Sequence, residues 1–133
     1  QSDEANTTFR GGGMPAAHRA FFTIGTQFRT NMYTATSFYR STAARFALQL
    51  RYPKDTQAVV WTIRLPAEGC MHVNFVEALS KVKGEHEFLF PPFSVFTVEH
   101  VEWSDTPNPS QITLRAARDN RAESEDLPTA PWC

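Results

Sequence analysis

The chain has 133 residues, 41% hydrophobic and 13% aromatic, with thirteen basic and fourteen acidic side chains for a net charge of -1. That size and apolar content suit one domain with a real core and argue against a disordered chain. The near-zero charge excludes a global field that would draw the protein onto nucleic acid or a membrane surface, and no apolar run approaches the roughly 18 residues that cross a bilayer.

In chain order, residues 1–6 are polar and read as a flexible N-terminus. Residues 7–10 read as a short strand that ends at Gly11-Gly12-Gly13, because a glycine triplet interrupts regular structure. Residues 21–28 are apolar and fit either a strand or a helix. From Ser37 the period becomes helical. Tyr39, Ala43, Phe46, Ala47 and Leu50 form one stripe at i, i+4, i+7, i+8 and i+11, with Ser37 as N-cap and Pro53 just past the end. Over residues 58–65 the period falls to two, with Val59, Trp61, Ile63 and Leu65 on one side of a half-buried strand. Trp61 and Phe46 are read as core. Residues 66–69 turn, 71–75 read as a short strand, and 76–84 as a loop or helical turn. Residues 87–90 and 94–103 are strands broken by Pro91-Pro92, and residues 107–109 turn into a last strand near 111–115. The polar, acidic stretch 119–133 reads as a flexible tail. The domain therefore spans 7–118, and many strands with one or two helices make it α+β.

The chemistry concentrates at Glu85-His86-Glu87-Phe88-Leu89-Phe90-Pro91-Pro92-Phe93. On an extended strand Glu85 and Glu87 share a side and His86 points away. Two carboxylates on one face repel, so they suit a cleft that binds a cation or a substrate that becomes one. Arg10, at a strand end beside glycines, can fork onto phosphate or carboxylate oxygens. The four histidines show no metal spacing and no cysteine pair joins them, so no metal site is expected. Cys70 and Cys133 can pair with each other, pair elsewhere or stay free. No glycine-rich nucleotide fingerprint is present, so any dinucleotide binding is not of the Rossmann type.

The acidic stretch resembles the Glu-x-Glu motif of the arginine-type mono-ADP-ribosyltransferases. Two further elements stand in that family's order. Thr8-Phe9-Arg10-Gly11 is similar to its strand-borne Arg-Gly, and Tyr33-Thr34-Ala35-Thr36-Ser37-Phe38 with Ala43-Ala44-Arg45-Phe46 resembles its aromatic-x-Ser-x-Ser element and following helix. The resemblance covers about residues 8–98. It implies a split β-sandwich, NAD as substrate, and transfer of ADP-ribose to a protein acceptor. It assigns Glu87 to catalysis, Glu85 to positioning an acceptor guanidinium, Arg10 to the NAD phosphates and Gly11 to the nicotinamide carboxamide. Thr36 and Ser37 complete the NAD-binding set, and Phe38 or Phe75 is the aromatic to stack on nicotinamide. Ala35 departs from the pattern. It stands where the family's first serine holds the catalytic glutamate, which implies reduced turnover. Ser80 matches arginine-modifying relatives, whereas Lys81-Val82-Lys83 replaces their aromatic pair. The alternatives are an NAD glycohydrolase and a non-catalytic nucleotide- or protein-binding module of the same fold. No secretory leader begins at Gln1, as in a mature chain that has lost one, and an extracellular, toxin-like setting is the expectation.

Overall fold

A computed structural model describes residues 6–49, 52, 55–66 and 87–131. Among these residues, seven strands and one α-helix make the domain: β1 (Thr7–Pro15), β2 (Gln27–Arg29), β3 (Thr34–Ser37), α1 (Arg40–Gln49), β4 (Thr56–Arg64), β5 (Glu87–Phe90), β6 (Val95–Glu102) and β7 (Ser110–Ala116). The stretch 21–28, left open between strand and helix, is mostly neither: a short 3₁₀ helix (Ala16–Phe21) ends at its first residue, and β2 begins at Gln27. The strands form a sheet in the order β2-β6-β7-β4-β1-β3-β5. Only the β4–β7 pairing is parallel.

The sheet curls over itself. Phe90 on β5, at one end of the strand order, meets Phe96 on β6, near the other, with ring centroids 5.0 Å apart. The N–H of Phe93 donates to the carbonyl of Thr30 at 2.6 Å, and the N–H of Thr30 to that of Ser94 at 3.1 Å. Inside the curl lies an aromatic core of Phe22, Phe28, Trp61, Phe90 and Phe96. The α+β expectation holds, and the sandwich is one hydrogen-bonded sheet folded around that core.

α1 packs on the opposite face over Phe9 and Val60, through Ala43 and Ala47. β4 is therefore buried on both sides: Val59, Trp61 and Ile63 enter the aromatic core, and Val60 lies beneath α1. The half-buried strand expected from its alternation is corrected in that respect.

The glycine triplet does not end β1. Gly11, Gly12 and Gly13 pair in register with Val60, Val59 and Ala58, and β1 continues to Pro15. Their smallness is used by neighbours. A Cβ on Gly11 would collide with the carbonyl of Ala43 in α1, and one on Gly13 with the ring of Tyr52.

The stripe assigned to α1 is only partly buried. Ala43 and Ala47 are covered, whereas Phe46 is 55% exposed, which corrects its reading as core. α1 begins at Arg40, and the Ser37 hydroxyl accepts from the Tyr39 N–H at 3.1 Å in the turn ahead of it.

The acidic segment read as a loose tail is docked along residues 119–131. Its anchor is Arg29, whose guanidinium donates to the carbonyls of Asn120, Glu123 and Ser124. Arg29 and Ala130 also bond through their backbones, and Ala130 is buried. The elements expected at 71–75 and 76–84 lie outside the described residues, as do Cys70 and Cys133.

Candidate active site

Two strand pairings assemble the site. β1 meets β3 at one register position, Phe9 opposite Ser37. β3 meets β5 with Ser37 opposite Glu87. Phe9, Ser37 and Glu87 thus form one row across three strands. With strands 4.7–4.9 Å apart, the backbones of Phe9 and Glu87 are about 10 Å apart along it.

Beyond Phe9 the ladder between β1 and β3 stops, and the side chain of Arg10 bridges the strands instead. Its Nη1 donates to the carbonyl of Ala35 at 3.2 Å. The opening is a cavity of ≈ 410 Å³ bounded by Phe9, Arg10 and Gly11 on β1 and by Ala35, Thr36 and Ser37 on β3. α1 closes it with Thr42, Ala43, Arg45 and Phe46. The described lining carries two guanidiniums and no carboxylate. A dianionic ligand fits that balance, since guanidinium forks match phosphate oxygens.

Arg10, Gly11, Thr36 and Ser37 therefore share one cavity, and Glu87 stands in the row beside it. Of Glu87 the backbone is described; Glu85, His86, Phe75, Ser80 and residues 81–83 fall outside the described residues. The hydroxyl of Thr36 donates to the carbonyl of Phe88 at 2.6 Å, so it fastens β3 to β5 next to position 87. Ser37 uses a lone pair on the Tyr39 N–H, and a hydroxyl that accepts in this way still has one O–H to give. Ala35 lies opposite Leu89. The residue directly across from Glu87 thus bears a hydroxyl even though the first serine of the motif is absent. Gly11 is required by the close approach of α1, a packing reason separate from ligand approach.

Phe38 does not line the cavity; it packs edge-on against Phe88, with centroids 5.6 Å apart. The cavity wall carries two aromatics, the buried Phe9 and the exposed Phe46. Arg45 and Thr42 were also missed as site residues. Arg45 is exposed and makes no ion pair or hydrogen bond with another described residue. The signal was available: Thr42, Arg45 and Phe46 are spaced i, i+3 and i+4, which puts them on one helix face.

This curled sheet, with the strand of Arg10 and the strand that begins at Glu87 joined through a short Thr-Ser strand, is the fold of the ADP-ribosyltransferases. It matches the Vis toxin of Vibrio splendidus, an ADP-ribosyltransferase, with a TM-score of 0.72 and 18% identity over 96% of this chain and 54% of that one. It also matches the ADP-ribosyltransferase HopU1 of Pseudomonas syringae pv. Tomato DC3000 (TM-score 0.62, 18% identity, 84% and 44% covered). A third match is the C3 exoenzyme of Clostridium limosum (0.59, 18%, 89% and 62%). The chain belongs to the family described as NAD:arginine ADP-ribosyltransferase, whose model matches residues 1–122. It spans about half the length of the Vis structure. No curated protein matches the sequence significantly.

Proposed function

We propose that this chain transfers ADP-ribose from NAD to a protein side chain, arginine by preference, and releases nicotinamide. The observation that carries the reading is the row Phe9–Ser37–Glu87 beside a cavity walled by Arg10 and Arg45. The two guanidiniums are suited to the pyrophosphate of NAD. The exposed ring of Phe46 offers a flat apolar face to a nicotinamide or adenine ring.

In the reaction, the bond between ribose C1′ and nicotinamide nitrogen breaks, and nicotinamide leaves with the electron pair. Positive charge develops on C1′ and the ring oxygen. The Glu87 carboxylate opposes that charge, which is greater in the transition state than in the ground state and so lowers the barrier. Glycosidases use carboxylates around a comparable cation. A guanidinium nitrogen of the acceptor then bonds to C1′, and its proton passes to Glu85. The pairing of Ser37 opposite Glu87 supports assigning its hydroxyl to orient the Glu87 carboxylate in the absence of the motif's first serine.

Arginine as acceptor agrees with the family description and with the Vis structure obtained in complex with agmatine. A secreted toxin is the biological setting that matches the Vis toxin and the Plx2a toxin of Paenibacillus larvae.

The test is incubation with labelled NAD, with and without agmatine. An ADP-ribosylated agmatine adduct is expected, and Glu87→Gln should lower kcat on the order of 10³-fold while leaving the melting temperature unchanged. Nicotinamide release without adduct would replace transfer by hydrolysis. Undiminished turnover in Glu87→Gln would remove the catalytic assignment.

A further inference from the structure

A second cavity opens further along β1. Phe9 stands in the row with Glu87, and each later residue of β1 lies about 3.3 Å further from it. The stretch from Gly12 to Pro15 is therefore about 10–20 Å from that row. Together with Arg10 it bounds a cavity of ≈ 320 Å³ that His18, Trp61 and Pro131 complete. Arg10 borders this cavity and the one beside Glu87. Arg10, Gly12 and Met14 share one face of the strand. A side chain at position 12 would enter the space above Trp61, whose Cζ3 is 3.3 Å from where its Cβ would be.

His18 is the unusual member of the lining. Its Nδ1 is buried and makes no hydrogen bond with a described residue. Buried polar atoms are nearly always bonded, so an unsatisfied one on a cavity wall is a place for a ligand atom. The 3₁₀ helix that carries His18 is fixed from both ends. The N–H of Ala16 donates to the carbonyl of Asp55 at 2.8 Å. Arg19 donates to Gln57 Oε1 and to the carbonyl of Ser104, pairs with Asp105 at 3.2 Å and lies 5.0 Å over the ring of Trp103. The imidazole is thus held in place before any ligand arrives.

We propose that this cavity receives the adenine base of NAD, with His18 as the residue that hydrogen-bonds it. The assignment rests on the proposed transferase reading, which puts the reacting ribose at Glu87 and the pyrophosphate at Arg10 and Arg45. The adenosine then leaves the phosphates on the side away from the reacting ribose, where Arg10 borders the second cavity. The walls suit a base better than a further sugar or phosphate. Apart from Arg10 and His18 they are glycines, prolines, Met14 and Trp61, and a purine offers two apolar faces and one polar edge to such a pocket. An imidazole nitrogen can accept from the amino group of adenine or donate to a ring nitrogen. Phe46 is left for the nicotinamide.

The experiment titrates two probes calorimetrically into the wild type, His18→Ala and His18→Asn. ADP-ribose carries the adenosine and both phosphates without nicotinamide; nicotinamide mononucleotide carries the nicotinamide ribose without the adenosine. His18→Ala should bind ADP-ribose about tenfold more weakly, as for one lost hydrogen bond. His18→Asn, whose amide can replace the imidazole nitrogen, should recover most of that loss. Nicotinamide mononucleotide should bind all three proteins equally, and in turnover of NAD with agmatine the defect of His18→Ala should fall on KM. Failure of the wild type to bind ADP-ribose, equal ADP-ribose affinity in wild type and His18→Ala, or a loss that includes nicotinamide mononucleotide would overturn the adenine site. Adduct formation from NAD by the wild type would still uphold the transferase reading in each of those cases. ADP-ribose binding that depends on His18, with no nicotinamide released from NAD by the wild type, would uphold the site and remove the transferase reading.

Discussion

The two flanks of β1 differ sharply. Toward β4 the strand is laddered along all nine of its residues, from Thr7 opposite Arg64 to Pro15 opposite Thr56. Toward β3 it pairs at Phe9 and nowhere else among the described residues. The closed flank carries the fold: Trp61, opposite Arg10, is 1% exposed in the aromatic core, and α1 lies against Gly11. The open flank is where a ligand can enter, because the sheet has given up its backbone bonds there and a guanidinium bridges the gap. Arg10 thus sits on a strand braced from one side and unzipped on the other. A functional arginine needs both, since a loose strand would blur its position and a complete ladder would leave no cleft.

That contrast predicts stability losses on the closed flank, set against the fold-neutral Glu87→Gln on the open one. The largest should come from Trp61→Ala, which empties the core beneath Arg10 and should cost about 3–5 kcal/mol, read as the shift of a urea unfolding midpoint. A fully stable variant would show that the closed flank does not carry the fold. Gly11→Ala should come next, at about 1–3 kcal/mol, because the added methyl meets a backbone carbonyl of α1 that cannot rotate away. It should also weaken NAD binding, since α1 forms the cavity wall; calorimetric titration on the folded fraction reads that effect.

The smallest effect is a pH dependence. Tyr52 packs on Gly13 and donates its hydroxyl to the carbonyl of Ala47 at 2.6 Å, tying β1 to α1. Burial raises its phenol above the ordinary 10.0. A group whose folded pKa is raised contributes stability that is complete below its unfolded pKa and lost as pH rises through the folded one. Melting temperatures should therefore fall more steeply above pH 10 in the wild type than in Tyr52→Phe, and parallel curves would show that the phenol adds nothing.

Much of this was legible in the residues. The two-residue period of β4, the proline break between β5 and β6, and the final strand all appear where local pattern placed them. Arg10, Thr36 and Ser37 were named from motif order, and strand pairing brings them together around one cavity. Three errors share a cause. The glycine triplet, the burial of Phe46 and the loose tail were each judged from local composition or spacing, whereas each depends on a partner distant in sequence. Glycine stays in a strand when a helix must come close. Phe46 faces outward because alanines, not aromatics, fit the narrow contact with β1. The acidic tail is held by Arg29, which no local signal links to it.

The sequence by itself determined the helix, most of the described strands and the family, because periodicity, prolines and motif spacing act over short range. Only the tertiary structure decided which residues share the cleft. That choice depends on Ser37 lying between Phe9 and Glu87, and on β3 parting from β1 just past that point. Register and curl are properties of the whole packed sheet, set by how the aromatic core and α1 fit its two faces, and no segment encodes them alone.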